Sequence, residues 1–210
     1  MIVKVCGMRE ADNIRDVAQA GIDWMGMIFW PKSSRYVANP SAAEAIPDGI
    51  TRVGVFVNQE PSHMAETARL SRLDIIQLHG TETPEDIAAI RSLAPDVKIM
   101  KAISIGHRDD LHNANNYAKV ADYLLFDTKC KCVGGSGMQF DWTVLNDYKG
   151  PCPFLLSGGI GPGDFARLST FRHDFLAGID LNSRFETAPG LKDAAALKCF
   201  IKRIKSDDYE

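Results

Sequence analysis

Short runs of β-branched and aliphatic residues alternate along the chain with stretches in which apolar positions recur every three or four residues. Gly, Pro, Asn or Asp separates each run from the next. The pattern predicts eight strands, at 2–6, 23–29, 51–57, 74–79, 97–103, 122–127, 153–157 and 174–180, with a helix after each, near 11–20, 41–45, 62–71, 84–93, 109–120, 142–147, 163–170 and 192–205. The last helix shows its stripe plainly, with Ala194, Leu197, Phe200, Ile201 and Ile204 on one face. The strands are apolar throughout rather than alternating, which suits parallel strands covered by helices. Strict β/α alternation builds either an open doubly wound sheet or a closed barrel, and eight units favour the barrel. The predicted fold is therefore α/β, a (β/α)8 TIM barrel forming one domain over residues 1–210.

Composition narrows the function. A chain of 210 residues with 45% apolar content can bury a sizeable single core. The net charge is −3 and the charges are interspersed, so the basic patch of a nucleic-acid binder is missing and the expected partner is a small molecule. The opening MIVKVCGMR enters a strand at once and does not read as a secretory signal. No apolar run approaches the length that spans a bilayer, so no membrane is expected and the predicted location is cytoplasmic. Five cysteines, an odd number, are then expected to be reduced.

In a barrel of this kind the active site lies where strands end and the following loops begin. The residues at those points are polar: Cys6, Arg35, Asn58, Gln77, His79, Ser104, Asp127, Ser157, Asp180, Asn182 and Ser183. Gly158 and Gly159 after the seventh strand, with the loop after the eighth, stand where this fold binds phosphate through backbone N–H groups. Turn-forming glycine is the plain alternative for either loop alone. The Gly-rich stretch 129–140, with Gly134, Gly135, Ser136 and Gly137, is read as a lid or else a surface connection. Its Cys130 and Cys132 lack the second ligand pair that a structural zinc needs, so no metal is expected. Cys6 sits in a KVCG context, with Lys4 and Arg9 as local positive charges able to favour a thiolate. Asp127 ends the apolar run LLFD, where partial burial would help its carboxyl hold a proton. Lys101 is read as structural.

The motifs KVCGM (residues 4–8), DWMGMIFWPKSSRYV (23–37), VGVFVN (53–58), IIQLHG (75–80), LLFDT (124–128), GGSGMQFDW (134–142) and LSGGI (156–160) occur here in order. In this arrangement the chain resembles the phosphoribosylanthranilate isomerase family over nearly its whole length. The resemblance implies a cofactor-free Amadori rearrangement of tryptophan biosynthesis, with Asp127 as general acid and Cys6 as general base. It also implies that Arg35 binds the anthranilate carboxylate, and that Gly158, Gly159, Asp180, Asn182 and Ser183 hold the phosphate. Gln77 and His79 are substrate-binding candidates without an assigned role, and the protein is expected as a monomer or homodimer. Two departures stand out: Met138 where the family's mobile loop carries a basic residue, and Arg184 where its last phosphate loop carries glycine. Other phosphosugar barrels, an epimerase or indole-glycerol-phosphate synthase, would need metal ligands or catalytic lysines at the strand ends. A phosphate-binding or thiol-sensing barrel without turnover is the remaining alternative.

Overall fold

Eight parallel strands hydrogen-bond in sequence order, and the eighth closes on the first: β1 (Ile2–Val5), β2 (Trp24–Ile28), β3 (Thr51–Phe56), β4 (Ile75–Leu78), β5 (Lys98–Ile105), β6 (Tyr123–Thr128), β7 (Phe154–Leu156) and β8 (Leu176–Leu181). This computed structural model describes residues 1–128 and 140–207. The expected closed barrel is what it shows, with each strand within about two residues of its predicted ends.

Side chains alternate across each strand, so one set faces the barrel axis and the other faces the helices. The two sets form separate apolar clusters. The inner one holds Trp24, Val53, Ile75, Met100, Leu125 and Leu155. The larger outer one packs strand residues such as Val3, Met25, Ile76, Ile99, Leu124 and Phe154 against the surrounding helices. Burial on both faces explains why the strands read as continuous apolar runs.

The helices are α1 (Ala11–Ala18), α2 (Pro61–Ser71), α3 (Pro84–Leu93), α4 (Leu111–Tyr117), α5 (Phe165–Thr170) and α6 (Ala194–Asp207). Two of the eight predicted helices are 3₁₀ turns instead, Pro40–Ala45 and Trp142–Asp147. Each is six residues long, the short length at which 3₁₀ geometry is common. Side chains cap both, Asn39 accepting from Ser41 N–H and Asp141 from Thr143 N–H. The helix predicted from 109 is shortened to α4 and preceded by a 3₁₀ turn, Arg108–Asp110.

One element was not expected. Between β8 and α6 lies an antiparallel hairpin, β9 (Glu186–Ala188) and β10 (Leu191–Lys192), turned at Gly190 with φ 83°. Lys192, predicted to start the last helix, belongs to this hairpin. No helix among the described residues is long and apolar enough to cross a membrane.

Candidate active site

The inward-facing positions change character along the barrel axis. Ile2, Lys4 and Cys6 of the β1 segment share one face, and Lys4 lies in register with Trp24 of β2 and Asp180 of β8. Cys6 follows β1 directly, its N–H donating to Leu181 O at 2.8 Å. A Cβ on Gly26 would stand 2.8 Å from Cys6 Sγ, so glycine on β2 leaves the space the thiol uses. Beneath it, the fully buried Lys4 Nζ donates to Asp180 Oδ1 at 2.8 Å. Burial pushes the Cys6 thiol up, with the Asp180 charge adding, while the Lys4 and Lys192 ammoniums pull it down. Burial lowers Lys4, but Asp180 and Cys6 outweigh it and keep the ammonium charged. Arg9, the other cation expected near Cys6, turns instead to Glu10 and Ser34 O on the surface.

Asp127 occupies the same inner face on β6, two positions above Leu125 of the apolar cluster. Its Oδ1 accepts the Thr128 N–H at 2.9 Å, and its Oδ2 lies 3.3 Å from His79 Nε2. His79 Nδ1 in turn lies 2.9 Å from Gln77 Nε2. Gln77 and His79 follow Ile75 on the inward face of β4, so one strand supplies both. The Gln77 amide is buried, and its Oε1 has no hydrogen-bond partner among the described residues.

Arg35 reaches the mouth from the loop after β2 and forms a bidentate pair with Glu186, Nε to Oε1 at 2.8 Å and Nη2 to Oε2 at 2.6 Å. Nη1 takes no part in that fork. Glu186 also accepts Lys192 Nζ at 2.5 Å and Gly190 N–H at 3.0 Å. Burial pushes the Glu186 carboxyl up, yet these cationic and N–H partners hold it down at about 2.

After β7, Gly158 and Gly159 have φ 93° and 67°, a backbone that side chains disfavour. A Cβ on Gly158 would fall 2.1 Å from Thr128 Oγ1, so the turn presses directly against the end of β6. After β8, Ser183 begins a 3₁₀ turn, Ser183–Phe185. Arg184 lies in that turn without a positive φ, so the residue replacing the family's glycine is unstrained; its side chain packs over Gly161. Among the described residues no three His, Cys, Asp or Glu side chains converge as metal ligands would.

Residues 3–203 match the model of the N-(5′-phosphoribosyl)anthranilate isomerase family. A family member from Phocaeicola vulgatus is 50% identical over 205 residues, covering 98% of both chains. The crystal structure of the Thermotoga maritima phosphoribosyl anthranilate isomerase superposes with a TM-score of 0.85 at 34% identity, covering 98% of this chain and 100% of that one. A family structure in complex with reduced 1-(o-carboxyphenylamino)-1-deoxyribulose 5-phosphate superposes with a TM-score of 0.82 at 32% identity, with 98% and 100% covered. The chain belongs to the phosphoribosylanthranilate isomerase family.

Set on this isomerase barrel, the residues read from the sequence collect at one mouth. Cys6, Gln77, His79 and Asp127 line its inner face, Arg35 joins from the side, and the Gly158–Gly159 and Ser183 turns end the neighbouring strands β7 and β8. Two of them do other work than expected. Asp180 is the buried partner of Lys4, a carboxylate that would repel phosphate, so its side chain is no phosphate ligand. Asn182 points its Oδ1 at Lys192 Nζ, 2.7 Å away. The lid residues Gly134, Gly135, Ser136 and Gly137, with Cys130, Cys132 and Met138, lie outside the described residues. Lys101 stands behind the sheet, its Nζ 2.8 Å from Glu82 and 2.7 Å from Gly80 O, where it braces the loop after β4. Sequence reasoning missed Glu186 and Lys192. Their signal, an acid and a base six residues apart beyond β8, points to the mouth only once the hairpin is known.

Proposed function

We propose that the chain isomerises N-(5′-phosphoribosyl)anthranilate to the corresponding 1-deoxyribulose 5-phosphate, with Asp127 as acid and Cys6 as base. The observation that carries this reading is the placement of the thiol and the carboxyl on inward-facing positions at the same end of one closed barrel. Asp127 protonates the furanose ring oxygen; the C1′–O bond breaks as the anthranilate nitrogen forms a double bond to C1′. The Cys6 thiolate then takes the C2′ proton, electrons pass to the C1′–N unit, and the resulting enolamine tautomerises to the ketone. No electron leaves the substrate, so proton transfers suffice, each of them worth about 10²–10⁴-fold.

His79 and Gln77 acquire a role in this scheme. With the amide donating to Nδ1, His79 carries its proton on Nε2 and donates it to the Asp127 carboxylate. With the amide turned over, Oε1 accepts from Nδ1–H and Nε2 accepts from a protonated Asp127; the two arrangements differ only in hydrogen positions and one amide rotation. The pair thus holds Asp127 in both its spent and its proton-loaded state. Arg35 offers its Nη1 side to the anthranilate carboxylate, and the Gly158, Gly159 and Ser183 turns offer N–H groups to the phosphate. A relative's complex with reduced 1-(o-carboxyphenylamino)-1-deoxyribulose 5-phosphate, which carries both a carboxylate and a phosphate, supports this reading.

The test follows the fluorescence of freshly generated phosphoribosylanthranilate. The wild-type chain consumes it, and Cys6→Ala and Asp127→Asn each consume it at least about 10²-fold more slowly. Undiminished consumption by either variant removes that residue from the mechanism.

A further inference from the structure

Lys192 is the unexpected charge at the mouth, and the structure invests heavily in burying it. Its side chain is 0% exposed. Its backbone is gripped at both ends by the Asn13 side chain of α1, which donates to Lys192 O at 2.8 Å and accepts Lys192 N–H at 2.7 Å. Its Nζ is fixed by Glu186 at 2.5 Å and Asn182 at 2.7 Å, and a Cβ on Gly7, the residue after Cys6, would lie 3.3 Å from it. Hairpin β9–β10 therefore delivers an ammonium to the backbone of the thiol segment.

The charges around Cys6 fall into two groups, Lys4 with Asp180 and Arg35 and Lys192 with Glu186. Across the mouth stand His79 and Asp127, which act on the first group through Asp180. Of the charges that bear on the Cys6 thiol, the Lys4 and Lys192 ammoniums favour the thiolate, while burial and the Asp180 carboxylate oppose it.

We propose that Lys192 is a positioning residue for Cys6, a buried ammonium fixed against the next residue of the thiol segment to stabilise the base form of the thiol. The proposal rests on the reading of Cys6 as the general base. Because burial works against the thiolate, the fraction of Cys6 in its base form is set by how many cations face it. Glu186 has the opposite effect: it holds Lys192 in place but cancels part of its charge.

The experiment is a pH titration of the Cys6 ¹³Cβ resonance in the full chain labelled at cysteine, assigned by its absence in Cys6→Ser. Lys192→Met raises the Cys6 midpoint by about one pH unit, and Lys192→Arg restores it. In the fluorescence assay, kcat/KM of Lys192→Met falls about tenfold below the midpoint and recovers at higher pH. An unmoved or lowered midpoint in Lys192→Met overturns the proposal. Should Lys192→Met not fold, Lys192→Gln, which keeps a polar contact to Glu186 and Asn182 without the charge, is read in its place, and a raised midpoint is again expected. A wild-type chain that turns over while the midpoint stays put sinks Lys192 and leaves Cys6 as base; a wild-type chain with no turnover sinks both.

Discussion

The lower and upper halves of the barrel interior are built from the same strands and the same inward-facing positions, yet one is a plug and the other a reaction vessel. Below, Trp24, Val53, Ile75, Met100, Leu125 and Leu155 fill the space without a charge. One or two steps further along the same strands come Lys4 and Cys6, Gln77 and His79, Asp127, Ser157 and Asp180. The contrast shows that the direction of a strand, more than its composition, separates stability from chemistry. The plug keeps water out from beneath, so charges at the mouth act in a medium where they are strong.

Exchanging the properties of the two halves would break the comparison. Lys4 sits where they meet, and Lys4→Met leaves Asp180 buried and unpaired; a loss of about 3–5 kcal/mol in denaturant unfolding is expected. The double variant Lys4→Met with Asp180→Leu extends the plug upward and recovers most of that loss while activity stays low. Within the plug, Leu125→Ala costs about 2–5 kcal/mol through the cavity it opens, and kcat per folded molecule is retained. At the mouth the pattern inverts: Asp127→Asn raises the reaction barrier by at least about 2.7 kcal/mol and shifts unfolding by under about 1 kcal/mol.

Acid sharpens the same contrast more gently. Glu186 is held at about 2, below its ordinary value of 4.5, so its ion pairs contribute stability in full above the ordinary range and lose it as pH falls from there through about 2. Thermal unfolding of the wild type between pH 5 and 2 therefore shows a decline that Glu186→Gln lacks in part. The plug, having no titrating group, adds nothing to that slope.

Much of this was legible in the chain. Continuous apolar strands and Gly or Pro boundaries mark eight β/α units because parallel strands are buried on both faces. Cys6 and Asp127 stand out because a polar residue ending an apolar strand must lie at an end of the barrel. What stayed hidden depends on register and on distant parts of the chain. That Asp180 serves Lys4 rather than phosphate follows from a pairing 176 residues apart in sequence. Lys192 reads as the first residue of a helix, and only the turn at Gly190 carries it back to the mouth. Short helical periodicity could not distinguish an α-helix from the 3₁₀ turns at Pro40–Ala45 and Trp142–Asp147.

The central claim is that Cys6 and Asp127 perform different steps on one sugar, and substrate deuterated at C2′ tests it most directly. Slowing C–H cleavage with Cys6→Ser should enlarge the isotope effect on kcat/KM relative to wild type, while slowing ring opening with Asp127→Asn should shrink it toward unity. An isotope effect that moves the same way in both variants, or in neither, would contradict the division of labour between thiol and carboxyl.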